Sequence, residues 1–348
     1  MRDSTLQLFV DDLNDIREYM RYIDLVNGIE INNRVSEDAA IIDFRQHLHS
    51  FGVSKKLFEY KSITISLYGV LEKHVGLWIR EYVNNLPKLI SNYSGFSEKF
   101  RDDHFQLSVK LLMLVIEKKS AKYEGLKREQ ILARLSSCID TPLDFELNGD
   151  AFYLHSGNLK HSKIVEAFNY LDIKLTNRLK IVGQRKGGFL CGGPSNIASK
   201  GDELFSLIDE LVARRNDIAH GENIDDILNV SGFSVYVNFL EEYGRAVFQT
   251  LVEREIQFEA DILYRKIENV KGIFKAGSVL CFEIENNEIC IGDNIIVQLN
   301  DGGYLKKEIL GIQKDNQEFE RLVVTSPENI GVKLGKGLSK GQTFFIKK

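Results

Sequence analysis

Apolar residues recur at three- and four-residue spacing through most of the first 265 residues, and that rhythm stops near Lys271. Leu6, Phe9, Leu13, Ile16, Met20 and Ile23 set it in "TLQLFVDDLNDIREYMRYIDLV". Leu67, Leu71, Val75, Trp78 and Tyr82 repeat it in "SITISLYGVLEKHVGLWIREYVNNL", with Pro87 following as a stop. Such spacing puts the apolar side chains on one face of a helix. Further helices are expected at "DHFQLSVKLLMLVIEKKSAKYE", "REQILARLSSCI" and "HSKIVEAFNYLDI", with a short extended segment at "LNGDAFYLHSGNL". A glycine-rich loop is expected over 183–201, then two more helices, the last ending near residue 268. From Gly272 onward, short β-branched runs alternate with Asn-Asn, Asp-Gly-Gly and Lys-Asp-Asn turns, the texture of a small antiparallel β-barrel. The fold class is therefore read as α+β and multidomain: an all-α helical bundle over 1–271 and a barrel over 272–348.

The formal charge of −5 argues against a general nucleic-acid coat but leaves room for a local grip on RNA. From Gly272 onward ten Lys and Arg balance ten Asp and Glu, so the whole deficit lies in the helical part. Cys138, Cys191, Cys281 and Cys290 show no CxxC spacing and no nearby histidine. They are read as reduced, buried thiols in a cytoplasmic protein, with no metal or cofactor expected. No apolar run approaches the roughly 20 residues that span a bilayer, and acids interrupt the N-terminal segment where a signal peptide needs an apolar core.

The stretch "RRNDIAHGE", residues 214–222, closes an amphipathic helix for which Asp202 is a suitable N-cap and Gly221 a suitable stop. At 100° per residue Arg215 falls within roughly 20 to 60° of Leu204, Ile208, Leu211 and Ile218, in the middle of the apolar stripe. Arg214 sits at the edge, and Asn216 and His220 share the adjoining flank. Two readings stand. Arg215 snorkels or answers a buried carboxylate while His220 favours the negative helix end. Alternatively the helix face is a subunit interface, where two copies of Arg215 and His220 converge.

The Arg-Asn-x3-His pattern at a helix end resembles the HEPN superfamily, matched by Arg215, Asn216 and His220. Leu67, Tyr68 and Glu72 in "SLYGVLEKHVGLWIREY" are similar to the early helix of its toxin-antitoxin and abortive-infection branch. "HSGNLKHSKIVEAFNYLDI" is similar to the segment before the motif helix, and the resemblance spans roughly residues 5–255. It implies a metal-independent endoribonuclease whose 2′-hydroxyl attack leaves a 2′,3′-cyclic phosphate, acting as a toxin or anti-phage effector from a homodimeric cleft. Arg215, His220, Asn216 and Glu72 are the implied catalytic set, with Glu72 either orienting Arg215 or His220 or simply solvated. Arg214 and the loop residues Arg185 and Lys186 are candidate RNA contacts; the loop lacks the GK[ST] ending of a P-loop. His155 and His161, near a turn, are read as structural or solvated.

The segment "EILGIQKDNQEFERLVVTSPENIGVKLGKGLSKGQTFF" resembles the second domain of elongation factor Tu, which implies a barrel. No GTPase motif accompanies it. The expected partners are an RNA substrate, tRNA or ribosome-associated, a second copy of the chain, and an antitoxin or regulatory protein, with no membrane. The rival reading is a non-catalytic RNA- or partner-binding module of a defence complex.

Overall fold

The computed structural model describes residues 3–31, 38–118, 123–140, 143–154, 158–186, 205–222, 224 and 226–348. The chain divides into two compact units, one formed by Met1–Asn85 with Asn92–Thr250, the other by Leu86–Ser91 with Leu251–Lys348.

The first unit is helical: α1 (Asp3–Ile31), α2 (Ala39–Leu89), α3 (Glu98–Ile116), α4 (Arg128–Asp140), α5 (His161–Asn169), α6 (Leu175–Lys186), α7 (Ser206–His220) and α8 (Val230–Leu263), the last continuing into the second unit. The expected stripes are the buried ones: Phe9, Leu13, Ile16, Met20 and Ile23 of α1 meet Leu67, Leu71, Val75 and Trp78 of α2 in the apolar interior. Phe9 and Phe248 both pack edge-on against Trp78, at 5.1 and 5.5 Å between ring centroids. Each such pair contributes about 1 kcal/mol beyond its buried area.

Three elements differ from the sequence reading. Helix α2 begins at Ala39 and runs through Pro87 to Leu89. Its early part carries Ile41, Ile42, Phe44, Phe51, Val53 and Phe58 in exposed positions, so no single apolar stripe announces the helix there. Residues Gly149–Tyr153 form a 3₁₀ turn in place of an extended segment. The turn is held because Asn148 donates its N–H to His104 Nε2 (3.1 Å) and its side-chain amide to Ser108 Oγ and the Ile131 carbonyl (both 3.1 Å). It lays the Tyr153 ring on Gly76 of α2, where a Cβ would stand 2.5 Å from the ring, so this approach requires glycine. Helix α6 occupies the start of the expected glycine-rich loop; residues 187–204, with Cys191, Asp202 and Leu204, lie outside the described residues, as does His155.

In the second unit α8 stops at Leu263, and the end of the expected last helix is strand. The strands are β1 (Tyr264–Lys266), β2 (Val270–Phe274), β3 (Val279–Ile284), β4 (Asn287–Cys290), β5 (Asn294–Gln298), β6 (Tyr304–Glu308), β7 (Gly311–Lys314), β8 (Gln317–Phe319), β9 (Arg321–Val324), β10 (Glu328–Lys333) and β11 (Thr343–Lys347). The boundary expected at Lys271 falls inside β2.

The strands form antiparallel sheets in the orders β1-β11-β5-β6 and β2-β3-β10-β7-β8, with β4-β9 as a separate pair. The expected barrel is thus corrected to open sheets. The chain crosses directly between the two larger sheets at residues 267–269, 309–310 and 334–342. At the first two, a few backbone bonds, such as Ile267 N–H to Phe344, Ile309 N–H to Asp293 and Leu310 N–H to Lys333, hold the corners, and no continuous ladder closes the sheets into one. Leu280, Phe282, Ile284, Val297, Ile330 and Phe344 share the core, alternating along their strands as a half-buried sheet requires. Ile256 and Ala260 of α8 pack on Ile296 and Tyr304, beside a Lys306–Glu259 ion pair of 2.5 Å.

Cys138 is buried and its thiol pushed up to about 11 by burial, whereas Cys281 and Cys290 are only partly buried.

Candidate functional site

Helix α7 carries the motif because Ile208, Leu211 and Val212 are buried against the bundle while its last turn reaches solvent. Gly221 terminates it in the left-handed region (φ 70°), and its N–H and that of Glu222 both return to the Asp217 carbonyl. A glycine takes that conformation without the Cβ penalty. The described helix opens at Ser206, after Phe205, which offers no side-chain cap.

The two neighbouring arginines are held in different ways. Arg214 uses all five of its N–H donors. They reach Glu210 Oε1 (3.1 and 2.9 Å), Tyr60 Oη (3.3 Å), the Asp226 carbonyl (3.0 Å) and Asp226 Oδ2 (2.6 Å). Burial works against its charge, but hydrogen bonds with Tyr60, Asp226, Glu210 and Tyr236 outweigh that and raise its pKa. The side chain named as an RNA contact therefore ties α7 to α2, α8 and the loop after the motif.

Arg215 is half-buried, its guanidinium 4.9 Å from the centroid of the Tyr68 ring. One N–H donates to Asn216 Oδ1 at 3.1 Å; the other donors have no hydrogen-bond partner among the described residues. A cation over an aromatic face gains about 1 kcal/mol and keeps its edge donors for another group.

Tyr68 belongs to the early-helix motif, yet its spacing suggested no role for it. Its ring is buried, and its hydroxyl accepts the Leu159 N–H at 3.2 Å. Burial raises its pKa, and the charge and hydrogen bond of Glu72 raise it further, against the opposing effects of Leu159 and Arg215. Glu72 sits half-buried one turn later on α2, and its carbonyl accepts from Tyr153 Oη at 3.2 Å. Arg215 and Glu72 thus meet through Tyr68, and Asn216 joins them through its bond with Arg215.

His220 stands apart. It is exposed at the last helical position, and among the described residues nothing joins it to Arg215 or Glu72. Arg185 is exposed on α6, while the side chain of Lys186 lies outside the described residues.

Three other histidines of the helical unit, His74, His104 and His161, serve packing. His104 is fully buried: its Nε2 accepts the Asn148 N–H, so Nδ1 carries the proton and donates to Tyr93 Oη at 3.0 Å. Burial lowers its pKa to about 4. His74 is also fully buried, 2.7 Å from Asp12, and burial lowers its pKa despite that carboxylate. Burial alone would raise Asp12, but hydrogen bonds from Lys73 and His74 hold it low. His161 stacks on Phe205 at 4.0 Å and reaches Tyr243 Oη at 3.1 Å.

Among the described residues no group of three or more His, Cys, Asp or Glu side chains is placed to hold a metal ion, and no helix is long and apolar enough to cross a membrane. No curated protein matches the chain. The RiboL-PSP-HEPN family model matches residues 29–253, a span that includes Tyr68, Glu72 and the whole Arg215–His220 motif. By that match over more than half its length, the chain belongs to the RiboL-PSP-HEPN family of the HEPN superfamily.

Proposed function

We propose that the end of α7 is the centre of a metal-independent endoribonuclease. The observation that supports this reading is the contrast between neighbours: Arg214 has every donor engaged, while Arg215 is held by ring and Asn216 and keeps donors with no partner among the described residues. Those donors suit the charge that gathers on the non-bridging oxygens as a ribose 2′-hydroxyl attacks phosphorus. His220 moves the proton, taking it from the 2′-hydroxyl or giving it to the departing 5′-oxygen. The P–O5′ bond breaks as the P–O2′ bond forms, leaving a 2′,3′-cyclic phosphate and a 5′-hydroxyl. Asn216 and Tyr68 position Arg215, and Glu72 positions Tyr68.

Because His220 is exposed and nothing described joins it to Arg215 of its own chain, the reading places the complete cleft between two copies. The second unit, read as a translation-factor-like module, directs the nuclease toward tRNA or the ribosome, in a toxin or anti-phage role. The same exposure of His220 favours a second reading, a HEPN module that binds RNA or a partner without cutting. Incubating the protein with total RNA in EDTA separates them. The nuclease reading expects fragments from the wild type and none from His220→Ala; intact RNA at high protein concentration supports the binding module.

A further inference from the structure

Beside the Tyr68 cluster lies a cavity of about 400 Å³ whose rim collects Lys110 of α3 with Lys160, Ser162 and Lys163 at the start of α5. Phe152, Tyr153 and Leu107 form its buried floor. Lys163 is paired with Glu166 at 2.7 Å, and Glu166 also accepts from Tyr170 Oη at 3.1 Å, so one positive charge of the rim is neutralised within it. Lys110 and Lys160 are exposed and form no ion pair or hydrogen bond among the described residues, although the Lys110 charge also acts on Glu166. The first N–H of α5, that of His161, is satisfied by Asp209 Oδ1 at 2.9 Å; the next, that of Ser162, is not satisfied by any described residue. In a chain of net charge −5, two such lysines, a hydroxyl and an open helix-start amide converge on one hollow. That is the donor set for a phosphate.

The hollow is also coupled to the candidate site. Leu159, which lines it, donates its N–H to Tyr68 Oη, and Tyr153 in its floor donates to the Glu72 carbonyl. The backbone that presents Lys160 is therefore pinned to the phenol that carries Arg215. We propose that this cavity is a second phosphate subsite, holding a backbone phosphate of a single-stranded RNA that runs from it to Arg215. The subsite rests on the reading of the chain as an RNA-acting protein, and not on its being a nuclease.

The test uses the full chain and a short single-stranded 2′-O-methyl RNA, which lacks the attacking hydroxyl and stays intact. Binding is read by fluorescence anisotropy across a salt series. Lys110→Ala/Lys160→Ala should weaken binding about tenfold, with a salt slope shallower by about 0.7 for each phosphate that is no longer neutralised. Lys110→Arg/Lys160→Arg should retain it. Binding by the double-alanine variant equal to wild type, no binding by the wild type, or displacement by polyglutamate as effective as by RNA would each overturn the subsite. Cleavage of unmodified RNA in EDTA is scored separately: lysine-dependent binding without cleavage keeps the subsite and removes the nuclease.

Discussion

The surroundings of His104 and the end of α7 use similar side chains to opposite ends. Around His104 both ring nitrogens, the Asn148 side-chain NH2 and the Tyr93 hydroxyl are matched with partners inside the bundle, and only Asn148 Oδ1 finds none among the described residues. Burial then costs little, and the group is fixed as a neutral imidazole. At the end of α7 the corresponding groups are left open: Arg215 keeps donors with no partner among the described residues, and His220 faces solvent. The contrast recurs one residue apart, between Arg214 and Arg215. Arg214, with every donor satisfied, marks a group that holds the fold, and Arg215, supported but less fully bonded among the described residues, marks a group held ready for a ligand.

The sharpest way to break this comparison is to exchange the roles of the two arginines. Arg215→Ala should lower RNA cleavage by ~10²- to 10³-fold, the loss typical of one transition-state donor, with a melting temperature close to wild type. Arg214→Ala should do the reverse. It removes five hydrogen bonds but leaves exposed carboxylates that water can solvate, so it should cost about 2 kcal/mol in urea unfolding. Its cleavage rate at low temperature should stay within a few-fold of wild type. Equal activity losses for the two variants would erase the distinction.

His104 sharpens the structural side. Its folded pKa of about 4 lies below the ordinary histidine value, so the unfolded chain binds the proton more readily. Its contribution is fully present above about pH 6.5 and is lost as pH falls toward 4. Between pH 7 and pH 5 this amounts to about 2 kcal/mol of stability. His104→Gln should flatten that part of the stability–pH curve, although the variant is less stable at pH 7. An unchanged slope would mean that the buried ring is not the titrating group.

A smaller effect is expected at Tyr68. Tyr68→Phe keeps the ring beneath Arg215 but leaves the Leu159 N–H without its acceptor, at a cost of about 1 kcal/mol. Cleavage should fall only a few-fold, in kcat more than in KM, because the ring still supports the guanidinium.

Much of the helical frame was legible because α1, the later part of α2, and α7 bury regular stripes, and Gly221 marks the motif's end. Spacing alone set Arg215 near Ile208 and Leu211, and it is half-buried beside the Tyr68 ring. What escaped depended on contacts between distant segments. Arg214 looked like an edge residue because Tyr60, Asp226 and Tyr236 become its partners only on folding. Lys110 and Lys160 lie on separate helices, so no charge run betrays the hollow they share. The start of α2 was hidden by exposed apolar side chains. The texture of the C-terminal strands indicated antiparallel pairing but not whether the ladder closes, since closure is decided at the corners near residues 267–269 and 309–310.

The central claim is that His220 and Arg215 cut RNA through its own 2′-hydroxyl. The direct measurement is to digest a defined RNA in EDTA with the wild type and with His220→Ala, and to identify the new ends. The account predicts 2′,3′-cyclic phosphate and 5′-hydroxyl ends from the wild type, and a loss of ~10³-fold or more for the variant at unchanged thermal stability. Cleavage by His220→Ala at the wild-type rate, or 3′-hydroxyl and 5′-phosphate ends, would contradict it.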